Sequence, residues 1–140
     1  MESLLYISRS AMSPDESESE INSIVATAVA RNPAAGLTGA LLFTGTHFAQ
    51  VLEGESEAIY RLITTIADDP RHDQLKIIAR TPLVERRFPD WSMAYFGPSQ
   101  FVTRHVTRLL NKPSPIEFRR GSEWLTDLLK EFSANRSSAA

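Results

Sequence analysis

Short stretches of alternating apolar and polar residues are separated by segments with helical spacing. Residues 3 to 8, SLLYIS, predict a strand with Leu4, Tyr6 and Ser8 on one face and Leu5 and Ile7 on the other. In Ser13-Pro14-Asp15-Glu16, a serine precedes glutamate by three residues and proline takes the first helical position, which predicts a helix start. Ile21, Ile24, Val25, Ala28 and Val29 then form one apolar stripe, which Arg31-Asn32-Pro33 is expected to end, with Asn32 by default a cap. Gly36 to Thr44 reads as a strand that is central or covered on both faces, and Gly45-Thr46 as a hairpin turn into FAQVLEG, residues 48 to 54. A second helix begins over Glu53 to Ser56, with Ile59, Leu62, Ile63 and Ile66 as its stripe. Leu75 to Ala79 predicts a fourth strand and Asp90 to Phe96 a fifth, with Trp91, Met93 and Tyr95 on one side.

This order of elements predicts an α+β fold, a ferredoxin-like βαββαββ sandwich: a mixed five-stranded sheet with two helices across one face. Two further helices follow Phe96. One carries Phe101, Val102, Val106, Leu109 and Leu110, the other Trp124, Leu125, Leu128, Leu129 and Phe132, with Pro113 and Pro115 between them. Their stripes are expected on the open face of the sheet or against a second subunit. Residues 133 to 140 are expected to fray.

Composition narrows the function. Fifteen basic against 17 acidic residues give a net charge of -2, no electrostatic reason to bind nucleic acid or an anionic membrane. Arg86-Arg87 and Arg119-Arg120 read as solvated faces. No apolar run approaches the ~20 residues of a membrane span, and MESLLYIS lacks a signal-peptide pattern, so a cytoplasmic protein is expected. The absence of cysteine excludes disulfides, thiolate metal sites and cysteine nucleophiles. His47, His72 and His105 are scattered, no metal-ligand spacing, phosphate loop or nucleophile elbow is present, and nothing separates Glu53 or Asp69 from surface charge. An ordinary enzyme is not indicated.

Gln50 is the exception in the pattern. It shares a strand face with Phe48 and Leu52, where an unsatisfied amide costs roughly 1 to 3 kcal/mol, so something polar must lie against that face. Tyr6, Ser8 and Asn32 at the neighbouring helix end add to a small polar set that a flat polar ligand between the two helices would satisfy. Tyr6 taken alone reads as an ordinary core tyrosine. Arg71 and His72, just past a helix end, could hold a phosphate or a polar tail, although a lone loop histidine is more often solvated.

Taken together, LLYISR, RNPAAGLTGALLF, FAQVLEG, DDPRH and ERRFPDWSM resemble, in order and spacing, the BLUF family of flavin-holding blue-light sensors. The resemblance covers roughly residues 1 to 97, leaving 98 to 140 as a C-terminal helical extension. It implies a flavin, FAD with FMN or riboflavin as alternatives, clasped between the helices with Ile24 and Ile66 on its two faces. It implies that Asn32 and Gln50 bond the ring's polar edge, that Tyr6 bonds Gln50, that Ser8 and Phe48 belong to the same site, and that Arg71 and His72 lie near the ribityl-phosphate end. Arg31 stands where family members often carry a neutral or aromatic polar side chain, so it either brings a positive charge to the ring or points to solvent.

In the mechanism the resemblance implies, light drives electron and proton transfer from Tyr6, Gln50 rearranges, and a new hydrogen bond shifts the flavin absorption reversibly to the red. One exchanged hydrogen bond is worth roughly 0.5 to 1.5 kcal/mol, so the output must act on a poised element. Trp91 and Met93 on the last strand are candidates for that relay, with plain core packing as their alternative role. Output is expected through a separate effector protein or through self-association by the sheet or the C-terminal helices. Two other readings stay open: a flavin-free ferredoxin-like ligand-binding or assembly module, which would be colourless, and a small flavin enzyme, whose flavin would bleach on reduction.

Overall fold

Five strands make one sheet in the order β4-β1-β3-β2-β5: β1 (Glu2–Ser10), β2 (Thr38–Phe43), β3 (His47–Gly54), β4 (His72–Pro82) and β5 (Trp91–Phe96). The β1–β3, β1–β4 and β2–β3 pairs are antiparallel, while β5 runs parallel to β2, so the sheet is mixed as expected. Helices α1 (Ser17–Ala34) and α2 (Ser56–Ala67) cover one face; α3 (Gln100–Leu110) and α4 (Pro115–Ala139) cover the other. The computed structural model describes the backbone of residues 1 to 139 and side chains as far as residue 133. No helix among the described residues is long and apolar enough to cross a membrane.

Alternation along β1 and β3 sorts the core into two layers. Leu4, Tyr6, Phe48 and Leu52 pack under α1 and α2, while Leu5, Ile7, Ala49 and Val51 pack under α3 and α4. The two terminal stripes therefore lie on the open sheet face through Val102, Val106, Leu109, Leu125 and Leu129. Phe101, expected in the stripe, is instead 59% exposed. Ser133 remains inside α4, its hydroxyl donating to the Leu129 carbonyl, so fraying does not begin there; the side chains beyond it lie outside the described residues.

Several boundaries differ from the sequence reading. The Ser13 to Glu16 segment forms a turn, with Glu16 N–H donating to the Ser13 carbonyl, and α1 starts only at Ser17 without a side-chain cap. Val29 lies outside the buried stripe and is exposed. At the other end α1 continues through Pro33. Leu37 N–H donates to the Asn32 carbonyl and Gly36 N–H to that of Pro33, the paired bonds of a Schellman ending, with Gly36 at φ 73° where a side chain would be strained. Asn32 thus closes the helix with its backbone, and its side chain is left for another use.

Three register shifts redirect side chains. In β5, Leu41 faces Met93 but Leu42 faces Tyr95, so one extra residue, Ala94, is inserted. Met93 stays with Trp91 on the α1/α2 side while Tyr95 turns to the opposite core, contrary to the expected shared face. In β4 one extra residue, Ile78, falls between the Leu5–Ala79 and Tyr6–Ile77 pairs and turns into the α3/α4-side core; a second shift lies between the Ile7–Lys76 and Arg9–Asp73 pairs, where Gln74 has φ 52°, and the strand begins at His72 rather than Leu75. His72 is consequently a buried strand residue and not a loop histidine.

The Arg86-Arg87 pair, with Arg86 exposed and Arg87 half-buried, is tied down by hydrogen bonds rather than free in solvent. Arg86 donates to the Glu53 and Gly36 carbonyls, and Arg87 Nε donates to the Glu53 carboxylate at 3.0 Å. Glu53 is fully buried and also accepts the Arg87 and Phe88 backbone N–H groups. This carboxylate, indistinguishable from surface charge in the sequence, pins the segment that leads into β5.

Candidate functional site

The site grows from one row across the sheet. Tyr6 on β1 stands directly opposite Gln50 on β3, Gln50 opposite Leu41 on β2, and Leu41 opposite Met93 on β5. Cross-strand partners share a face, so the phenol and the carboxamide meet in the layer beneath α1 and α2. Gln50 Nε2 donates to the Tyr6 hydroxyl oxygen at 2.6 Å, and the Trp91 indole Nε1 donates to Gln50 Oε1 at 2.9 Å. An indole N–H can only donate, which fixes the amide oxygen toward Trp91 and the nitrogen toward Tyr6. Trp91 faces Gly39 across β2, where a Cβ would lie 1.9 Å from the Val51 carbonyl oxygen, so no side chain competes with the indole there.

Burial governs the ionisation of Tyr6. Loss of water pushes its phenol well above the ordinary tyrosine value, and the nearby Asp69 charge adds to this, while the bond from Gln50 and the Arg31 charge act in the opposite sense. The phenol therefore keeps its proton at neutral pH.

Above this row lies a cleft between α1 and α2, floored by the sheet, with a cavity volume of about 80 Å³. Ile24 and Ile66, one from each helix, line it together with Tyr6, Phe48, Gln50 and Trp91. Arg31, Arg71 and His72 also reach its wall. Thr27, Ala28, Leu41, Thr65 and Asp69 belong to the lining without having been singled out from the sequence. Thr27 and Ala28 follow Ile24 at i+3 and i+4, and Leu41 opposes Gln50, so helix periodicity and strand pairing carried a signal for them. Asp69 lies in the DDPRH motif, where the sequence reading singled out Arg71 and His72 instead.

Asn32 is placed differently. It lines an adjoining cavity that shares Arg31 and Thr65 with the main cleft. Its Oδ1 accepts from Arg31 Nε at 3.2 Å, while its buried Nδ2 has no partner. Arg31 thus bends back along its own helix, and burial lowers the pKa of its guanidinium. An orphaned buried amide N–H is a position that a ligand carbonyl would satisfy.

The basic end of the cleft is already engaged. Arg71 donates to both oxygens of Asp69, the shortest bond being 2.6 Å, and reaches Glu20 at 3.4 Å. The Arg71 bond holds the Asp69 carboxyl below its ordinary range, and reciprocally raises the Arg71 pKa. His72 Nε2 donates to the Ile66 carbonyl, and Nδ1 lies 2.7 Å from Ser8 Oγ. Because a carbonyl only accepts, Nε2 carries the proton, and in the neutral ring Ser8 donates to Nδ1. Ser8 and His72 therefore buttress the end of α2 against β1, and Ser8 does not itself line the cleft. Met93 is buried in the same layer but likewise outside the lining.

The family model described as "Sensors of blue-light using FAD", BLUF, matches residues 1–94. The chain belongs to the BLUF family. Among curated BLUF-containing relatives it is similar to the photoactivated adenylate cyclase subunit beta of Euglena longa, 33% identical over 114 residues, covering 75% of this chain and 13% of the relative. It is also similar to the blue light- and temperature-regulated antirepressor BluF of Escherichia coli (strain K12), 37% identical over 93 residues, 66% of this chain and 23% of the relative. The chain thus spans only a small part of the length of these relatives. Among solved structures, BlrB in its dark state superimposes with a TM-score of 0.72 at 30% identity, covering 93% of this chain and 95% of that one. BlsA in its photo-activated state gives 0.72 at 25% identity, covering 92% and 94%. As BLUF domains are flavin-based blue-light sensors, so is this one. Its α+β, ferredoxin-like architecture is that of the solved BLUF proteins.

Proposed function

We propose that the cleft between α1 and α2 holds the ring of a flavin, FAD in the first instance with FMN and riboflavin as alternatives, and that Gln50 is the light-responsive switch. The observation that carries this reading is the position of Gln50 between a phenol and a donor-only indole. When bound, the flavin supplies blue-light absorption and a photo-excited electron acceptor for Tyr6.

Ile24 and Ile66 exclude water from the ring's faces, and Phe48 extends the apolar wall. Asn32 Nδ2 and the second N–H of Gln50 supply donors for ring acceptors. Arg31 holds Asn32 in place. Ser8 and His72 fix the end of α2, while Arg71, bound to Asp69 and Glu20, closes the cleft's charged end as a structural ion pair rather than as a free phosphate ligand.

Tyr6 acts as the source of an electron and of its hydroxyl proton, which burial retains until that moment. Once Tyr6 no longer holds the amide in its resting orientation, Gln50 can rotate or tautomerise. A rotated amide presents its NH₂ to the indole N–H, donor against donor, leaving a buried indole N–H unsatisfied at roughly 1 to 3 kcal/mol. The rearrangement of Gln50 is therefore coupled to Trp91, and through β5 to Met93, Tyr95 and α4.

We propose further that residues 1 to 97 are the sensory unit and 98 to 140 the element that passes the signal on. On this reading the chain senses rather than catalyses, acts in the cytoplasm, and delivers its output to a separate effector or through self-association of its C-terminal helices. The test is an absorption spectrum of the purified protein before and after a blue flash, with chromatography of the released pigment. A yellow protein with a slight, reversible red shift is expected. A protein that stays colourless after reconstitution, or bleaches as an enzyme flavin does, contradicts the proposal.

A further inference from the structure

The two C-terminal helices carry a surface that the sensor site does not use. Phe101, His105 and Trp124 form an aromatic cluster across α3 and α4: Phe101 meets His105 edge-on at 4.8 Å and Trp124 at 5.8 Å, and His105 stacks on Trp124 at 4.1 Å. Beside the cluster runs an open groove whose floor is made by Leu109, Pro113 and Trp124 and whose rim includes Arg108 and Arg120. Phe101 is 59% exposed and touches His105 and Trp124 of the lining, so the apolar surface continues outward from the groove. Contiguous exposed apolar surface with a polar rim marks interaction sites.

Charge indicates what the surface takes. Between residues 98 and 121 there are five basic residues, Arg104, Arg108, Lys112, Arg119 and Arg120, against Glu117 alone. Arg104, Arg108 and Arg120 are exposed, and none has an ion-pair partner among the described residues. The Glu117 carboxylate, which also lines the groove, is engaged in the capping interaction with the Ser114 hydroxyl at 2.9 Å. His105 registers the same uncompensated field: burial first, then Arg108 and Arg104, hold its imidazole below the ordinary histidine range. Residues 1 to 97 carry eight basic and 13 acidic residues, a net charge of -5. That charge repels the long phosphate backbone of a nucleic acid but tolerates a short acidic segment confined to the groove.

We infer that the α3/α4 groove is a docking site for an acidic amphipathic helix of a partner protein. Apolar side chains at helical spacing fill the floor over Leu109, Pro113 and Trp124, and carboxylates on the flanks meet Arg108 and Arg120 of the lining, with Arg104 one helical turn before Arg108 on α3. The surface itself is independent of the flavin reading; its role as the sensor's output rests on that reading.

The test uses the full chain, flavin-loaded and kept in the dark, with a labelled helical peptide of Leu, Ala and Glu, about 15 residues long so that it can hold a helix. Fluorescence anisotropy is compared with a peptide in which every Glu is Lys, and with a single-stranded oligonucleotide. The Glu peptide is expected to bind at least about tenfold more tightly than the Lys peptide, and to lose about tenfold or more in affinity in an Arg104→Glu, Arg108→Glu double variant. Phe101→Ser, which removes an exposed side chain, should weaken binding without changing the circular dichroism spectrum. Equal binding of both peptides, indifference to the double variant, or preference for the oligonucleotide overturns the inference. The flash-induced spectral shift, followed in the same samples, reports separately on the sensor reading, because neither variant touches the cleft.

Discussion

The two faces of the sheet are built on different terms. Beneath α3 and α4, Ile7, Leu42, Ala49, Val51, Val106 and Leu129 are completely buried in one apolar cluster. Beneath α1 and α2 the same strands present Tyr6, Gln50 and Trp91 joined by hydrogen bonds, next to an open cleft and an orphaned amide at Asn32. One face is filled with apolar side chains, and among the described residues its unpartnered buried polar atom is the hydroxyl of Ser92, which pairs with Ala40. The other carries the linked polar row and the cleft proposed to hold the flavin ring. In that proposal a small rearrangement at Gln50 bears on a sheet whose opposite side is closely packed.

The largest expected effect lies on the closed face. Leu129→Ala should lower unfolding free energy by about 2 to 5 kcal/mol, because a fully buried leucine leaves a cavity, whereas Ile24→Ala on the half-open face should cost under about 1 kcal/mol. Ile24→Ala should instead weaken flavin binding by about tenfold. Urea titrations and flavin fluorescence check the pair; similar stability losses at both positions would erase the contrast.

Trp91→Phe should have a smaller effect, near 1 kcal/mol, by removing the indole donor from the Gln50 oxygen. It also removes the donor clash that opposes the rotated amide, so the red-shifted state should form and then recover more slowly, by up to about tenfold. Recovery after a flash measures this. Recovery that is unchanged would mean that Trp91 is plain core.

The smallest effect belongs to the charged end of the cleft. Asp69 has its carboxyl pKa lowered by Arg71, so its contribution to stability is fully present above the ordinary carboxylate value of 3.8 and is lost as the pH falls through the lower, folded-state value. The pair is partly exposed, so the amount should be at most about 1 kcal/mol. Comparing denaturation of the parent and Asp69→Asn at pH 6 and pH 3 should show a larger difference at the higher pH.

Much of this division was legible in the sequence. Alternation in SLLYIS and FAQVLEG placed Tyr6 and Gln50 on one face, because both strands lie inside the sheet and obey the two-residue period without interruption. The edge strands did not read so simply. The inserted Ala94 breaks the period in β5 and sends Tyr95 to the opposite face from Met93, and the Gln74 bulge brings His72 into β4; neither residue type announces a bulge. Glu53 and Arg87 could not be told from surface charge because their pairing depends on a contact between residues 34 positions apart. Asn32 looked like a cap because its neighbour is proline, yet Gly36 supplies the ending and the amide turns inward.

The central claim is that the Gln50 carboxamide reads out the light. It is tested most directly by flash spectroscopy on the flavin-loaded protein and its Gln50→Leu variant, side by side. The parent should show a small red shift that decays in the dark, and the variant should bind the same pigment and show none. A variant that still shifts and recovers like the parent would contradict a switching role for the amide.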